Sequence, residues 1–212
     1  MDLLFEYWPI FLEGTINTIL ISFFAVLIGL VFGSLLALLR LSQNTWLNLF
    51  AKAYIQVVRG TPLLVQLFII YFGLTSLNLS SFASGVIAVG FNATAYVAEI
   101  IRSGIQSVDK GQMEAALAIG MSRKLAMQKI IFPQAIKNIL PAIGNEFAAL
   151  IKETSIVSYL GIRDIMFASD IVRGATFQIF PPLFIAAGIY LILTSVIAYG
   201  VGRLEKRLKA SD

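Results

Sequence analysis

The chain has 212 residues, 58% hydrophobic and 13% charged, against roughly 45–50% apolar and about 25% charged in soluble domains, which marks an integral membrane protein. It contains neither cysteine nor histidine, so disulfide frameworks, thiolate chemistry, zinc sites and a histidine base are excluded by inventory. The formal net charge of +4 is what an excess of Lys and Arg on the cytoplasmic face of a membrane produces, and requires no nucleic acid.

A spanning helix needs about 20 mostly apolar residues, because lipid offers no partner to open backbone groups. Five segments meet this: residues 15–39, 61–77 (extending towards Tyr54), 82–101, 135–151 and 180–201. The first residues carry Asp2 and Glu6 where a cleavable signal would be basic, so the first span is expected to stay in the mature protein. Tyr7, Trp8 and Phe11 before it read as an interfacial aromatic belt or an amphipathic segment. Gly29 and Gly33 form a G-x-x-x-G that favours close helix packing within the chain over a dimer seam. Thirteen of the 16 Lys and Arg fall on one side of this topology, which predicts an N-terminus outside and a C-terminus in the cytoplasm.

The connection 102–134 is too polar for lipid. Within it the composition from Gly111 to Lys129 favours helix, with Gly120 at a C-cap or turn, Ser122 capping a following helix and Pro133 opening the next. It holds Glu114-Ala115-Ala116, three residues, Gly120, nine residues, Ile130, one residue, then Phe132-Pro133. This spacing resembles the cytoplasmic coupling loop of permease subunits of binding-protein-dependent ABC importers, whose pattern usually ends in Leu-Pro.

Three further stretches are similar to the polar amino acid branch of that family (histidine, glutamine and arginine permeases): Arg59-Gly60-Thr61-Pro62-Leu63-Leu64-Val65-Gln66; Ala95-Tyr96-Val97-Ala98-Glu99-Ile100 with Arg102, Gly104, Ser107 and Gly111-Gln112; and Ile151-Lys152-Glu153-Thr154-Ser155, where the family usually has Asp for Glu153. Together they cover most of the chain from Arg59 to Ile165. The resemblance implies an all-α integral membrane protein with the five-transmembrane-helix type I ABC importer permease fold (MetI-like), as one permease domain over 1–212 with a coupling loop at 102–134. It implies coupling to a separate ATPase through Glu114, Ala115, Ala116 and Gly120. ATP and Mg would be bound by that ATPase and no cofactor by this chain, which has no G-x-x-x-x-G-K-[ST]. The other implied partners are a second permease subunit, homodimeric or a sister chain, and an extracytoplasmic amino-acid-binding protein, in a bacterial inner membrane.

Glu153, with Thr154 and Ser155 beside it, offers a carboxylate and hydroxyls to the ammonium of a free amino acid; a Lys152–Glu153 surface pair is the plainer alternative. Gln66 and Asn145 are candidate amide contacts, with interhelical packing as the competing reading. Arg59, Thr61, Pro62 and Glu99 are expected at a gate or a helix kink. The excess of acids outside favours basic cargo such as arginine, lysine or histidine, with glutamine, glutamate or cystine as the alternatives. A self-contained channel or ion-coupled carrier would be expected to show inverted repeats or a chain of buried acids, and a membrane enzyme a clustered carboxylate pair; none is evident.

Overall fold

The computed structural model describes residues 2–210, with no strand among the described residues. A short helix α1 (Asp2–Glu6) leads into α2 (Trp8–Arg40), whose 33 residues make it about 50 Å long. One side of α2 is exposed, with Phe23, Leu27, Val31 and Leu35 facing outward, and the other is seated on α5 (Ser81–Gln106). Glycines make that contact close. A Cβ at Gly33 would lie 2.9 Å from the Thr94 carbonyl oxygen, and one at Gly90 would lie 2.9 Å from the Ile28 side chain. The G-x-x-x-G is therefore spent inside the chain. Gly33→Leu should cost at least about 1–3 kcal/mol by overpacking, seen as a lower unfolding midpoint of the detergent-solubilised protein. An unchanged midpoint would mean the two helices do not approach this closely.

The expected second span, 61–77 with an extension towards Tyr54, is not one helix. The chain forms α3 (Thr45–Gly60) and α4 (Leu63–Gly73) with their axes bent by 108°, followed by a 3₁₀ turn at Thr75–Leu77. Asn44 starts α3 by accepting the N–H groups of Trp46 and Leu47. The break has a local cause. Pro62 excludes the helical conformation from the residue before it, and Thr61 is extended at φ −121°, ψ 148°. The carbonyls left open are met by Gln66, whose side-chain nitrogen donates to Val58 O at 2.7 Å and to Thr61 O at 3.1 Å, while its oxygen accepts from Asn92 at 2.9 Å. A side chain thus replaces the missing helix bonds.

Beyond α5, which runs on to Gln106, the connection forms α6 (Lys110–Ala118), α7 (Arg123–Ala126) and a π-turn at Met127–Ile131, and Pro133, expected to open the next element, lies inside helix that is continuous from α7 through this turn. Then come α8 (Phe132–Glu153), a 3₁₀ stretch (Thr154–Leu160), α9 (Ile165–Thr176) and α10 (Phe180–Lys209). By length and composition α2, α5 and α10 can each cross a membrane, and α3 and α4 pass the same test only when the bent pair is taken as one span. α8 is 22 residues long but carries Lys137, Glu146, Lys152 and Glu153. Such a helix crosses only inside a bundle, and it packs between α5 and α10.

Phe11 departs from the expected belt: it is 0% exposed, in a cluster with Ile165, Ala168, Val172 and Ala186. That cluster surrounds Asp164, also 0% exposed, which caps α9. The Asp164 carboxylate accepts the Phe167 N–H at 2.8 Å and the Tyr190 hydroxyl at 3.3 Å, and Gly14 lies so close that a Cβ there would be 2.5 Å from the Asp164 carbonyl oxygen. Burial pushes this carboxyl up from 3.8 to about 6, with the backbone N–H bonds to Phe167 and Met166 opposing it. A folded-state value above the unfolded one means the protonated form suits the fold. The contribution is therefore full below pH 3.8 and is lost as pH rises to about 6, by up to ~3 kcal/mol. Asp164→Asn should flatten that part of the dependence of the unfolding midpoint on pH; equal slopes in parent and variant would sink the assignment.

Candidate functional site

The break between α3 and α4, the middle of α5, the end of α8 with the 3₁₀ stretch after it, and the face of α9 border an open cavity of about 790 Å³, within the roughly 300–1,000 Å³ range of small-molecule sites. Thr61, Pro62 and Leu63 form one wall and Asn92 and Tyr96 a second; Glu153, Ser155, Ser158 and Tyr159 form a third, closed by Asp170 and Arg173. The broken helix is what opens this space: a straight helix through Thr61 would present side chains where the extended Thr61–Pro62 backbone now lies.

Of the residues named from the sequence, Glu153, Ser155, Thr61 and Pro62 line the cavity. Three others stand elsewhere. Thr154 is 0% exposed and its hydroxyl donates to the Ile151 carbonyl at 2.8 Å. Gln66 is buried and committed to the helix break. Asn145 is exposed on α8 and lies outside the cavity lining. Asn92, Tyr96, Asp170 and Arg173 line the cavity as well, though the sequence singles out none of them as a contact for solute. Asp170 and Arg173 sit at i and i+3 on α9 and pair at 3.1 Å, both partly exposed, so Glu153 is the carboxylate of the lining without a paired cation among the described ion pairs. Glu146, seven residues earlier on α8 and therefore on the same face as Glu153, experiences the charges of both Glu153 and Arg59. With Ser155 and two tyrosine hydroxyls nearby, the cavity can bind an ammonium or a guanidinium group.

Beneath it, the Arg59 guanidinium lies over the Tyr96 ring at 5.3 Å. One turn further along α5, Glu99 accepts two hydrogen bonds from Arg102, one from Nε at 2.9 Å and a second from Nη2. Arg59 and Glu99, expected at a gate or kink, thus stand on either side of Tyr96, Arg59 over its ring and Glu99 three residues after it on α5.

The projecting loop is built around Gly120. Asp109 caps α6, and its C-terminus closes with Gly120 N–H donating to Leu117 O at 3.0 Å and Met121 N–H to Ala116 O at 3.0 Å. This is the Schellman arrangement, in which the residue at Gly120 takes a left-handed conformation, here φ +88°. Ser122 then caps α7 through the Leu125 N–H. Ala116 is buried within the hairpin and Glu114 and Ala115 are exposed, as is Ile119 at 80%. Asn138 of α8 donates to Ser107 at 2.9 Å, and Ile139 packs where Gly104 lacks a side chain, so the loop is held at both ends. A short rigid helix with an exposed apolar tip is suited to insertion into a groove of another protein.

Comparison with known proteins agrees with this geometry. The family described as binding-protein-dependent transport system inner membrane component matches residues 29–210. A permease named for a glutamine transport system in Rickettsia felis is 44% identical over 98% of both chains. The arginine transport system permease protein ArtQ of Bacillus subtilis is 41% identical over 96% of this chain and 94% of its own. A chain of a crystal structure described as an amino acid ABC transporter with histidines superposes with a TM-score of 0.92 at 46% identity, covering 96% of each. The all-helical bundle, its projecting loop and these matches agree: the chain belongs to the binding-protein-dependent transport system inner membrane component family.

Proposed function

We propose that this chain is the membrane-spanning subunit of an ATP-driven importer of polar amino acids, with basic amino acids as the leading cargo. The observation that carries the cargo reading is the cavity, in which Asp170 is paired with Arg173 and Glu153 has no ion-pair partner among the described residues, so the lining keeps one net negative charge. Such a site attracts cationic groups, an ammonium or a guanidinium, to the Glu153 carboxylate. The arginine-named relative supports basic cargo; the glutamine-named relative supports a second reading in which the same carboxylate takes only the α-ammonium and hydroxyls or amides take the side chain.

In this reading the N-terminus is outside and the C-terminus, with its Arg203, Lys206, Arg207 and Lys209, lies in the cytoplasm of a bacterial cell, on the inner membrane. Separate ATPase subunits bind ATP and Mg and receive α6. A second permease chain completes the path, and an extracytoplasmic binding protein delivers the solute. Closure of the ATPases moves the α6 helices, and α5 and α8, fixed to that loop, turn as rigid bodies to alternate access. The test is uptake and ATPase stimulation in liposomes holding the assembled complex with its binding protein, across arginine, lysine, histidine, glutamine, glutamate and cystine. Stimulation by the basic three favours the first reading, and by glutamine alone the second. Solute movement by this chain without an ATPase overturns both.

A further inference from the structure

This inference rests on the importer reading and deepens it, assigning the way out of the cavity. α3 has three flanks. One buries Ala51, Ile55 and Val58 against Leu36, Ala37, Ala95 and Ala98. A second presents Phe50 and Val57, each 62% exposed and apolar, as a surface for lipid. The third is polar along its length: Thr45, Asn48, Lys52, Gln56 and Arg59 recur at steps of three or four, which is the helical repeat.

α5 repeats the pattern, with Asn92, Tyr96, Glu99, Ser103 and Gln106 at steps of four or three. Three relations show that the stripes border one space. Arg59 lies over the Tyr96 ring at 5.3 Å. The charges of Arg59 and Arg40 both act on Glu99. Arg40 in turn donates to Asn48 at 2.9 Å near the start of α3. Polar side chains at membrane depth face protein or water, not lipid, and Lys52, Gln56, Arg59, Ser103 and Gln106 are exposed in this chain. The upper end of the α5 stripe is the cavity itself, since Asn92 and Tyr96 line it.

We propose that the facing polar stripes of α3 and α5 form one wall of a water-filled path by which solute leaves the cavity for the cytoplasm, entered at the contact of Arg59 with Tyr96. Its charge is opposite to that of the cavity. The wall and its rim hold Arg40, Lys52, Arg59 and Arg102 against Glu99, and Glu99 is already held by two hydrogen bonds from Arg102. Along these two stripes an amino acid that leaves Glu153 therefore meets only Glu99, whose carboxylate Arg102 already occupies.

The absence of cysteine from the whole sequence makes the test direct. Single cysteines at Gln56, Ser103 and Gln106, and at Phe50 and Val57 as lipid-facing controls, are placed in the full complex in sealed vesicles and exposed to a charged, membrane-impermeant thiol reagent from the cytoplasmic side. Reaction needs thiolate and water, and a charge is strongly disfavoured in lipid, so Gln56→Cys, Ser103→Cys and Gln106→Cys should label faster than Val57→Cys and Phe50→Cys by on the order of a hundredfold. Ser103→Cys is nearly isosteric and preserves the fold even where Gln56→Cys does not. Labelling of Ser103→Cys and Gln56→Cys as slow as that of Val57→Cys, or labelling on α3 alone, overturns the proposal. No cargo is needed for the labelling, so its failure is separate from a failure of the amino acid panel.

Discussion

Glutamine in place of Glu153 should raise the concentration of amino acid that half-stimulates ATP hydrolysis by the reconstituted complex roughly 10- to 100-fold, with less effect on the rate in the absence of solute. Glu153 ends α8 and faces the cavity opposite Thr61 and Pro62. The carboxylate accepts from an ammonium as a charged partner; an amide of the same shape keeps the space and removes the charge. A hydrogen bond to a charged group contributes about 1.5–3 kcal/mol, which sets the expected range. Asp170 cannot replace it, because it is already paired with Arg173 at 3.1 Å. Glu153→Asp, which keeps the charge on a shorter stem, should recover part of the response. An unchanged half-stimulating concentration in the glutamine variant would remove Glu153 from the site and leave it as a surface partner of Lys152.

Why the spans could be read and the cavity only in part follows from the range over which each signal acts. α2, α5 and α10 are long apolar runs, and α8 could be found despite its four charged residues because the apolar positions around them are dense. α3 is legible only in its second half, as an extension of the next span towards Tyr54, for the opposite reason. Its polar stripe, averaged with its apolar flanks, lowers the mean hydropathy of a window, although Asn44 as a cap and the recurrence of Ala51, Ile55 and Val58 announce an amphipathic helix. α9, with 12 residues, is too short for a span; its signal is Asp164 before an apolar repeat.

Within the site, Glu153, Ser155, Thr61 and Pro62 were recognisable because each lies in a local motif. Tyr96 also stands in such a motif, but nothing in the motif points it towards a solute; Asn92, Asp170 and Arg173 lie on two helices far apart in sequence, and only the packing of α5 and α9 around the helix break brings them together. Gln66 shows the limit from the other side. A polar residue one turn beyond Pro62 signals a special role, but whether it serves solute or backbone depends on the 108° bend, which exposes the carbonyls of Val58 and Thr61 to it.

Valine at Gly120 should abolish most ATP-driven uptake while leaving the chain in the membrane and its cavity intact. Gly120 sits at φ +88°, a conformation that costs an L-residue about 1–2 kcal/mol and a β-branched one more. The Cβ meets no neighbour within 4 Å, so the penalty is conformational and does not come from crowding. Two hydrogen bonds close the end of α6, from Gly120 to Leu117 and from Met121 to Ala116. Rotation of residue 120 out of the left-handed region breaks both and turns Ile119, the 80% exposed tip, away from its present direction. The damage is confined to the loop: α6 contacts α7 and the π-turn, and no residue of α6 lines the cavity. The expected result is therefore selective. Assembly with the ATPase subunits weakens or ATP hydrolysis no longer responds to solute, uptake falls at least about tenfold for a loss of about 1.4 kcal/mol in docking, and the unfolding midpoint of the isolated chain changes little. Gly120→Asn should be milder, because asparagine tolerates the left-handed region better than other non-glycine residues. Uptake by the valine variant equal to that of the parent would show that this turn does not transmit the stroke, and would move the coupling contact off α6.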